Sequence, residues 1–312
     1  MKRHGSPGTP GLPGERTGRP LRVMARRGPA RAAPATPAAA PENHPAHWSR
    51  PNVRTLAIAS GKGGVGKSNL AANLAVALGA RGARVLLLDA DFAQANLDLL
   101  LGLHPRYDLQ HLVAGEKTLE EIVVSGSHGV RLVPAASGAP ETAELDDYTR
   151  ECLLRNIGLL DEEIDLVIID NATGASRHVT SFCRCADDVL VVCTPELPAF
   201  SDAYGLIKLL VAQGLARAPH LIVNQAGSPE EAEETAHRIR LVGRRFLQLE
   251  IECWGVVPFD PSVPRAVRLQ EPVVTAFPNS PAAAAYRGLA ERLWPLPDPE
   301  AGLLPHPERL EA

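Results

Sequence analysis

Short, unbroken apolar runs punctuate this chain from residue 54 onward, and between them apolar positions recur at the three- and four-residue spacing of helices. The runs at 56–60, 84–88, 131–133, 165–169, 188–193, 220–223 and 253–257 predict strands. Most are apolar at successive rather than alternate positions, as in parallel strands covered on both faces. The intervening segments predict helices near 69–81, 108–114, 118–124, 142–160, 175–185, 201–213, 229–249 and 282–293. In the first of these, Leu70, Leu74, Ala77 and Leu78 carry the helical spacing. Regular alternation of the two patterns predicts an α/β fold: a doubly wound, mainly parallel sheet with helices on both faces. Ligands in such sheets bind beyond the carboxyl ends of the strands, so candidate chemistry is sought there.

The periodic pattern does not extend to the ends. Residues 1–52 are rich in Pro, Gly, Ala and Arg without an apolar period, and are expected to form a disordered tail. Residues 53–295 suit one large domain, and 296–312, broken by prolines, are expected to be a flexible C-terminal tail. The net charge of -4 gives the whole molecule no broad attraction to nucleic acid. Positive charge gathers in the first tail (Lys2, Arg3, Arg16, Arg19, Arg22, Arg26, Arg27, Arg31), which reads as a solvated arm or as a weak contact with nucleic acid or anionic lipid. No stretch approaches the roughly 20 apolar residues of a membrane span, and no hydrophobic leader follows the basic start. Five cysteines, Cys152, Cys183, Cys185, Cys193 and Cys253, are expected as reduced thiols in the cytosol rather than as a zinc site.

The most specific chemistry lies between the first strand and the first helix. Residues 61–68 read Gly-Lys-Gly-Gly-Val-Gly-Lys-Ser and fit the phosphate-binding pattern G-x-x-x-x-G-K-[ST]. Gly61, Gly63, Gly64 and Gly66 let the backbone wrap a polyphosphate, with Lys62, Val65 and Asn69 completing the cradle. Lys67 is expected at the β- and γ-phosphates and the Ser68 hydroxyl at Mg²⁺. The order strand, loop, helix presents the anion to a helix N-terminus.

Two apolar runs end in acids: 85–88 leads into Asp89 and Asp91, and 166–169 leads into Asp170. Four apolar residues and then an acid place a carboxylate beside Mg²⁺, making Ser68, Asp89 and Asp170 the candidate metal set. The alternative for each acid is a helix cap after a strand. Asp91 is the candidate that orients the attacking water, with Lys62 and Lys67 supplying positive charge to the transferring phosphoryl group.

With Lys62 directly after the first glycine, the chain resembles the deviant Walker A ATPases of the MinD/ParA class. Residues 89–102 are similar to the switch segment of that class. Residues 194–208, 255–272 and 277–281 resemble its FlhG branch (also FleN or YlxH), which controls flagellar number and placement. The resemblance covers nearly all of residues 54–295. It implies a P-loop ATPase that binds ATP with Mg²⁺ and closes as a homodimer, Lys62 of each copy reaching the other's nucleotide. It also implies Asp91 as the water-orienting acid, Asp170 at the metal, Asn224 at adenine, and Pro258 and Asp260 in the loop bordering the base. An FlhF-type GTPase, flagellar switch proteins or a flagellar transcription regulator are the partners implied, in the cytoplasm or at the inner face of the membrane. Two departures stand out: Asn171 follows Asp170 where threonine or proline-bearing patterns are usual, and Ala93 stands where glycine is common. The proline-rich, acidic end offers no amphipathic membrane helix. A DNA-bound partition ATPase is the competing reading, for which the basic run 238–245 is the candidate surface. A tyrosine kinase is disfavoured by the scatter of Tyr107, Tyr148, Tyr204 and Tyr286.

Overall fold

The computed structural model describes residues 53–135, Leu153 and 164–294. The predicted helix at 142–160 lies outside the described residues apart from Leu153, as do both predicted tails and Cys152. The strands are β1 (Arg54–Ser60), β2 (Val85–Ala90), β3 (Val124–Ser125), β4 (Val130–Val133), β5 (Leu166–Thr173), β6 (Asp188–Cys193), β7 (His220–Ala226) and β8 (Cys253–Pro258). They form one sheet in the order β3-β4-β2-β5-β1-β6-β7-β8. Every pairing is parallel except that of the two-residue edge strand β3 with β4.

The apolar runs alternate their side chains between two buried layers. Leu56, Ile58, Leu87, Ile168, Leu190 and Ile222 face a layer that includes α1 (Lys67–Gly79) and the helix Pro281–Leu293. Ala57, Ala59, Val191 and Val223 face the opposite side, against the helices Arg177–Cys185, Leu197–Ala212 and Pro229–Val242. Leu86, Leu88, Val167 and Ile169 continue that second layer toward Phe92 and Phe182. Burial on both faces is why the strands read as continuous rather than alternating apolar runs.

The predicted strands are all present, four of them lengthened at their carboxyl ends, where Asp89, Asp170, Asn224 and Pro258 sit. Two predicted helices are corrected. The segment 118–124 is helical only over Leu119–Ile122, because Val124 and Ser125 pair with Leu132 and Arg131 as β3. The segment 229–249 keeps α-helical geometry only to Val242, then widens into a π-turn over Gly243–Leu247 that ends on Gln248 at φ 53°. Gly243 is pressed against Ile251, so the chain turns there instead of running on. Helices at Leu97–Leu101, Ser262–Leu269 and Val273–Ala276 were not foreseen.

Candidate nucleotide site

β1 occupies the middle of the sheet, between β5 and β6, and its carboxyl end opens into the loop 61–66. Gly64 and Gly66 adopt φ of 79° and 87°, a region that L side chains rarely enter. The loop is also crowded where it meets the fold. A Cβ at Gly61 would collide with the backbone of Asp202, and one at Gly66 with the Asn224 amide. Val65 is buried, and Gly63 and Gly64 are exposed to the side a ligand would approach. Lys67 and Ser68 open α1, with Asn69 partly exposed in the first turn. Free N–H groups at this helix start face the loop, which suits an anion.

Neighbouring strands bring charge to the same place. Asp170, fully buried near the end of β5, receives a hydrogen bond from Lys67 Nζ to its Oδ1 at 2.7 Å. Its other oxygen is buried and has no hydrogen-bond partner. Burial raises the Asp170 pKa, while the charge and hydrogen bond of Lys67 and the nearby Ser68 hydroxyl oppose the rise and Asp91 adds to it. Asp89 of β2 is in direct register with Asp170. Burial, and then the Asp170 charge, push Asp89 up to about 8, against hydrogen bonds from Leu97, Asp91 and Asn96 that favour the anion. Those bonds run from the Asp91 N–H to Oδ1 at 3.1 Å and from the Asn96 and Leu97 N–H groups to Oδ2 at 3.1 and 3.2 Å. Asp89 thus pins the loop that carries Asp91. The strand stops at Ala90, so Asp91 does not alternate away along a continuing strand; its Oδ1 accepts from the Gln94 N–H at 3.1 Å and opens a turn.

The remaining predicted residues meet different fates. Lys62 is ion-paired with Glu196 of the same chain, just beyond β6, both side chains retaining solvent access. Asn224 is buried and donates its amide to the Val65 carbonyl at 2.7 Å, while Gln225, at φ 58°, donates to the Gly64 carbonyl at 3.3 Å. These two residues of β7 brace the phosphate loop from behind. Asp260 accepts from the Ser262 N–H at 2.8 Å and the Ala282 N–H at 3.0 Å. Its burial favours the neutral acid, but those bonds prevail and hold the pKa below the usual carboxylate range. Pro258 ends β8 in register with Ala226. Asn171 is buried and donates to the Ile58 carbonyl at 3.0 Å, tying β5 to β1.

Glu196, Gln225 and Asp202 contribute contacts that the sequence pattern did not single out. Glu196 follows β6, Asp202 lies in the helix after it and Gln225 lies near the end of β7, so the strand order was the signal that would have found them. Among the described residues no cluster of three acidic, His or Cys side chains could hold a metal ion. Mg²⁺ does not need such a cage, since phosphate oxygens and waters supply most of its ligands. The unpartnered buried oxygen of Asp170, with Ser68 beside it, fits one carboxylate and one hydroxyl at a phosphate-bound Mg²⁺. Cys183, Cys185, Cys193 and Cys253 form no disulfide with one another, and burial pushes Cys183 and Cys193 up to about 12. No described helix is long and apolar enough to cross a membrane.

Residues 56–273 match the model of the CobQ/CobB/MinD/ParA nucleotide-binding domain. The antiactivator FleN of Pseudomonas aeruginosa is 40% identical over 248 residues, 78% of this chain and 88% of the relative. The flagellum site-determining protein YlxH of Helicobacter pylori is 33% identical, over 73% of this chain and 77% of the relative. Among solved structures, the septum site-determining protein MinD of Pyrococcus horikoshii complexed with Mg-ADP superposes with a TM-score of 0.66 at 28% identity, covering 78% of this chain and 97% of that one.

Proposed function

The chain belongs to the CobQ/CobB/MinD/ParA nucleotide-binding family, and we propose that it is an ATP-hydrolysing switch protein, dimerising with ATP, that controls the number or placement of flagella. The observation that carries the chemistry is the buried Lys67–Asp170 pair directly beneath the phosphate loop. A buried ion pair is costly to desolvate, so this one is poorly accounted for by stability alone and is read as serving a charged ligand. In this reading Lys67 turns from Asp170 to the β- and γ-phosphates. Asp170 and Ser68 would hold a phosphate-bound Mg²⁺, which would supply positive charge to the phosphoryl oxygens. Asp91 orients the attacking water in line with the γ-phosphorus. Lys62 leaves Glu196 and enters the partner copy's site, offsetting repulsion between two polyphosphates.

The flagellar assignment rests on the FleN and YlxH relatives, and an FlhF-type GTPase, a flagellar switch protein or a flagellar transcription regulator is the proposed partner class, with turnover slow until one binds. A MinD-like role on another cargo is the second reading, favoured by the 32% identity to MinD of Bacillus subtilis. The DNA-partition reading draws little support from the basic run, because Arg238, Arg240 and Arg244 are each paired with Glu234, Glu233 and Glu250. Deleting the gene and counting flagella by electron microscopy tests the assignment. Altered number or position is expected; unchanged flagella with displaced septa or chromosomes would favour the second reading.

A further inference from the structure

We propose that His178 is a positioning residue that couples the loop bearing Asp91 to the segment that follows Asp170. The proposal rests on the ATP-hydrolysis reading above. β2 and β5 are neighbours, so the two segments leave adjacent strand ends. Phe92, next to Asp91, turns inward and is 2% exposed. Its ring meets the His178 ring edge-on, with centroids 5.0 Å apart and planes at 62°. On its other side His178 meets Phe182 at 4.9 Å and 87°. Phe182 is fully buried and belongs to the same apolar layer as Phe92. The three rings therefore form a continuous stack from the Asp91 loop into the helix Arg177–Cys185.

Each end of the stack joins a loop at a strand end. The Asp89 carboxylate holds the 91–97 loop by accepting from the Asp91, Asn96 and Leu97 N–H groups. Gly174, at φ 98°, turns the chain just before Ser176 caps the helix on which His178 sits. Phe92 cannot shift by a fraction of its width without opening a void or displacing His178, because close-packed interiors respond in discrete steps. A change in Asp91 when the γ-phosphate arrives would thus be transmitted to residues 174–180, and the reverse would hold equally. None of the three rings lies in the phosphate cradle, which separates this role from nucleotide binding.

The test compares wild type, His178→Ala and His178→Phe by hydrogen–deuterium exchange with Mg·ADP and with a non-hydrolysable Mg·ATP analogue, alongside steady-state turnover. In wild type, exchange at 91–97 and at 174–180 should slow together with the ATP analogue. In His178→Ala the first segment should still respond and the second should lose at least about threefold of its protection, while kcat falls by about three- to tenfold and KM for ATP stays within about twofold. His178→Phe keeps an aromatic edge at the site and should restore most of both. Should His178→Ala not fold, Phe92→Leu severs the same contact from the other side and should uncouple the segments likewise. A variant in which both segments respond as in wild type overturns the proposal while leaving the ATPase reading standing. A wild-type protein that neither hydrolyses ATP nor responds to it overturns both.

Discussion

Two regions of this molecule use the same side-chain chemistry to opposite effect. Along the helix Pro229–Val242 and the turn after it, Arg238, Arg240 and Arg244 pair with glutamates at a surface open to water. Beneath the phosphate loop, Lys67 pairs with Asp170 where their side chains are 5% and 1% exposed. Screening reduces the first set to a solvated face worth little in energy or specificity. Exclusion of water makes the second a strong but conditional attraction, sensitive to any new charge. Three of the four arginines in the basic run that suggested DNA are thereby paired with acids, whereas the pair beneath the loop that suggested phosphate is buried. Lys62 stands between the two cases, since its pairing with Glu196 is exposed enough to exchange for another anion.

The comparison breaks most visibly at Lys67. Lys67→Ala should abolish binding of a fluorescent ATP analogue and cost about 3–5 kcal/mol in urea unfolding, because Asp170 is left buried without its cation. Retained binding, or a loss below about 1 kcal/mol, would mean that the pair is ornamental. Asp91→Ala should leave binding intact and lower hydrolysis by about 100-fold or more, the contribution of a positioned proton acceptor. Light scattering of that variant with Mg·ATP should find a persistent dimer; equal monomer populations in wild type and variant would contradict the role. Asp260 sharpens the contrast from another side. Its folded pKa lies below the ordinary 3.8, so its contribution to stability is present above that value and is lost as pH falls through the folded pKa. Asp260→Ala should therefore cost about 1 kcal/mol at pH 7, with the gap from wild type narrowing as pH falls below the ordinary 3.8, as followed by thermal melts across pH. At the bottom of the scale, Arg238→Ala with Arg240→Ala should change stability by no more than about 1 kcal/mol and leave DNA retention in a filter assay unchanged at 150 mM salt, roughly physiological.

How much of this was legible in the sequence follows the range of the interactions. The sheet was readable because each central strand is buried on both faces and carries that burial as a run of apolar residues, 166–169 being the plainest case. The phosphate loop was readable because glycine is the residue that tolerates the backbone of Gly64 and Gly66. The partners of the loop were not. Asn224 was expected at adenine; what the sequence did not show is that its amide nitrogen holds the Val65 carbonyl, a contact between residues distant in sequence that depends on strand order. Asp260 was expected in the loop bordering the base; its two oxygens anchor the starts of two helices, one of them 22 residues downstream, a role the sequence did not announce. The helix 229–249 overran because nothing local in its composition announces the packing of Gly243 on Ile251. Asn171 was noted as a departure without a role; its buried tie to Ile58 gives it one.

The account stands or falls on Lys62 leaving Glu196 for a second molecule's nucleotide. Sedimentation velocity of wild type and Lys62→Ala, each saturated with Mg²⁺ and a non-hydrolysable ATP analogue, measures this directly. The account predicts a dimer for wild type, and a monomer that still holds nucleotide for Lys62→Ala. A wild type that stays monomeric at saturation, or a variant that dimerises equally well, would contradict it.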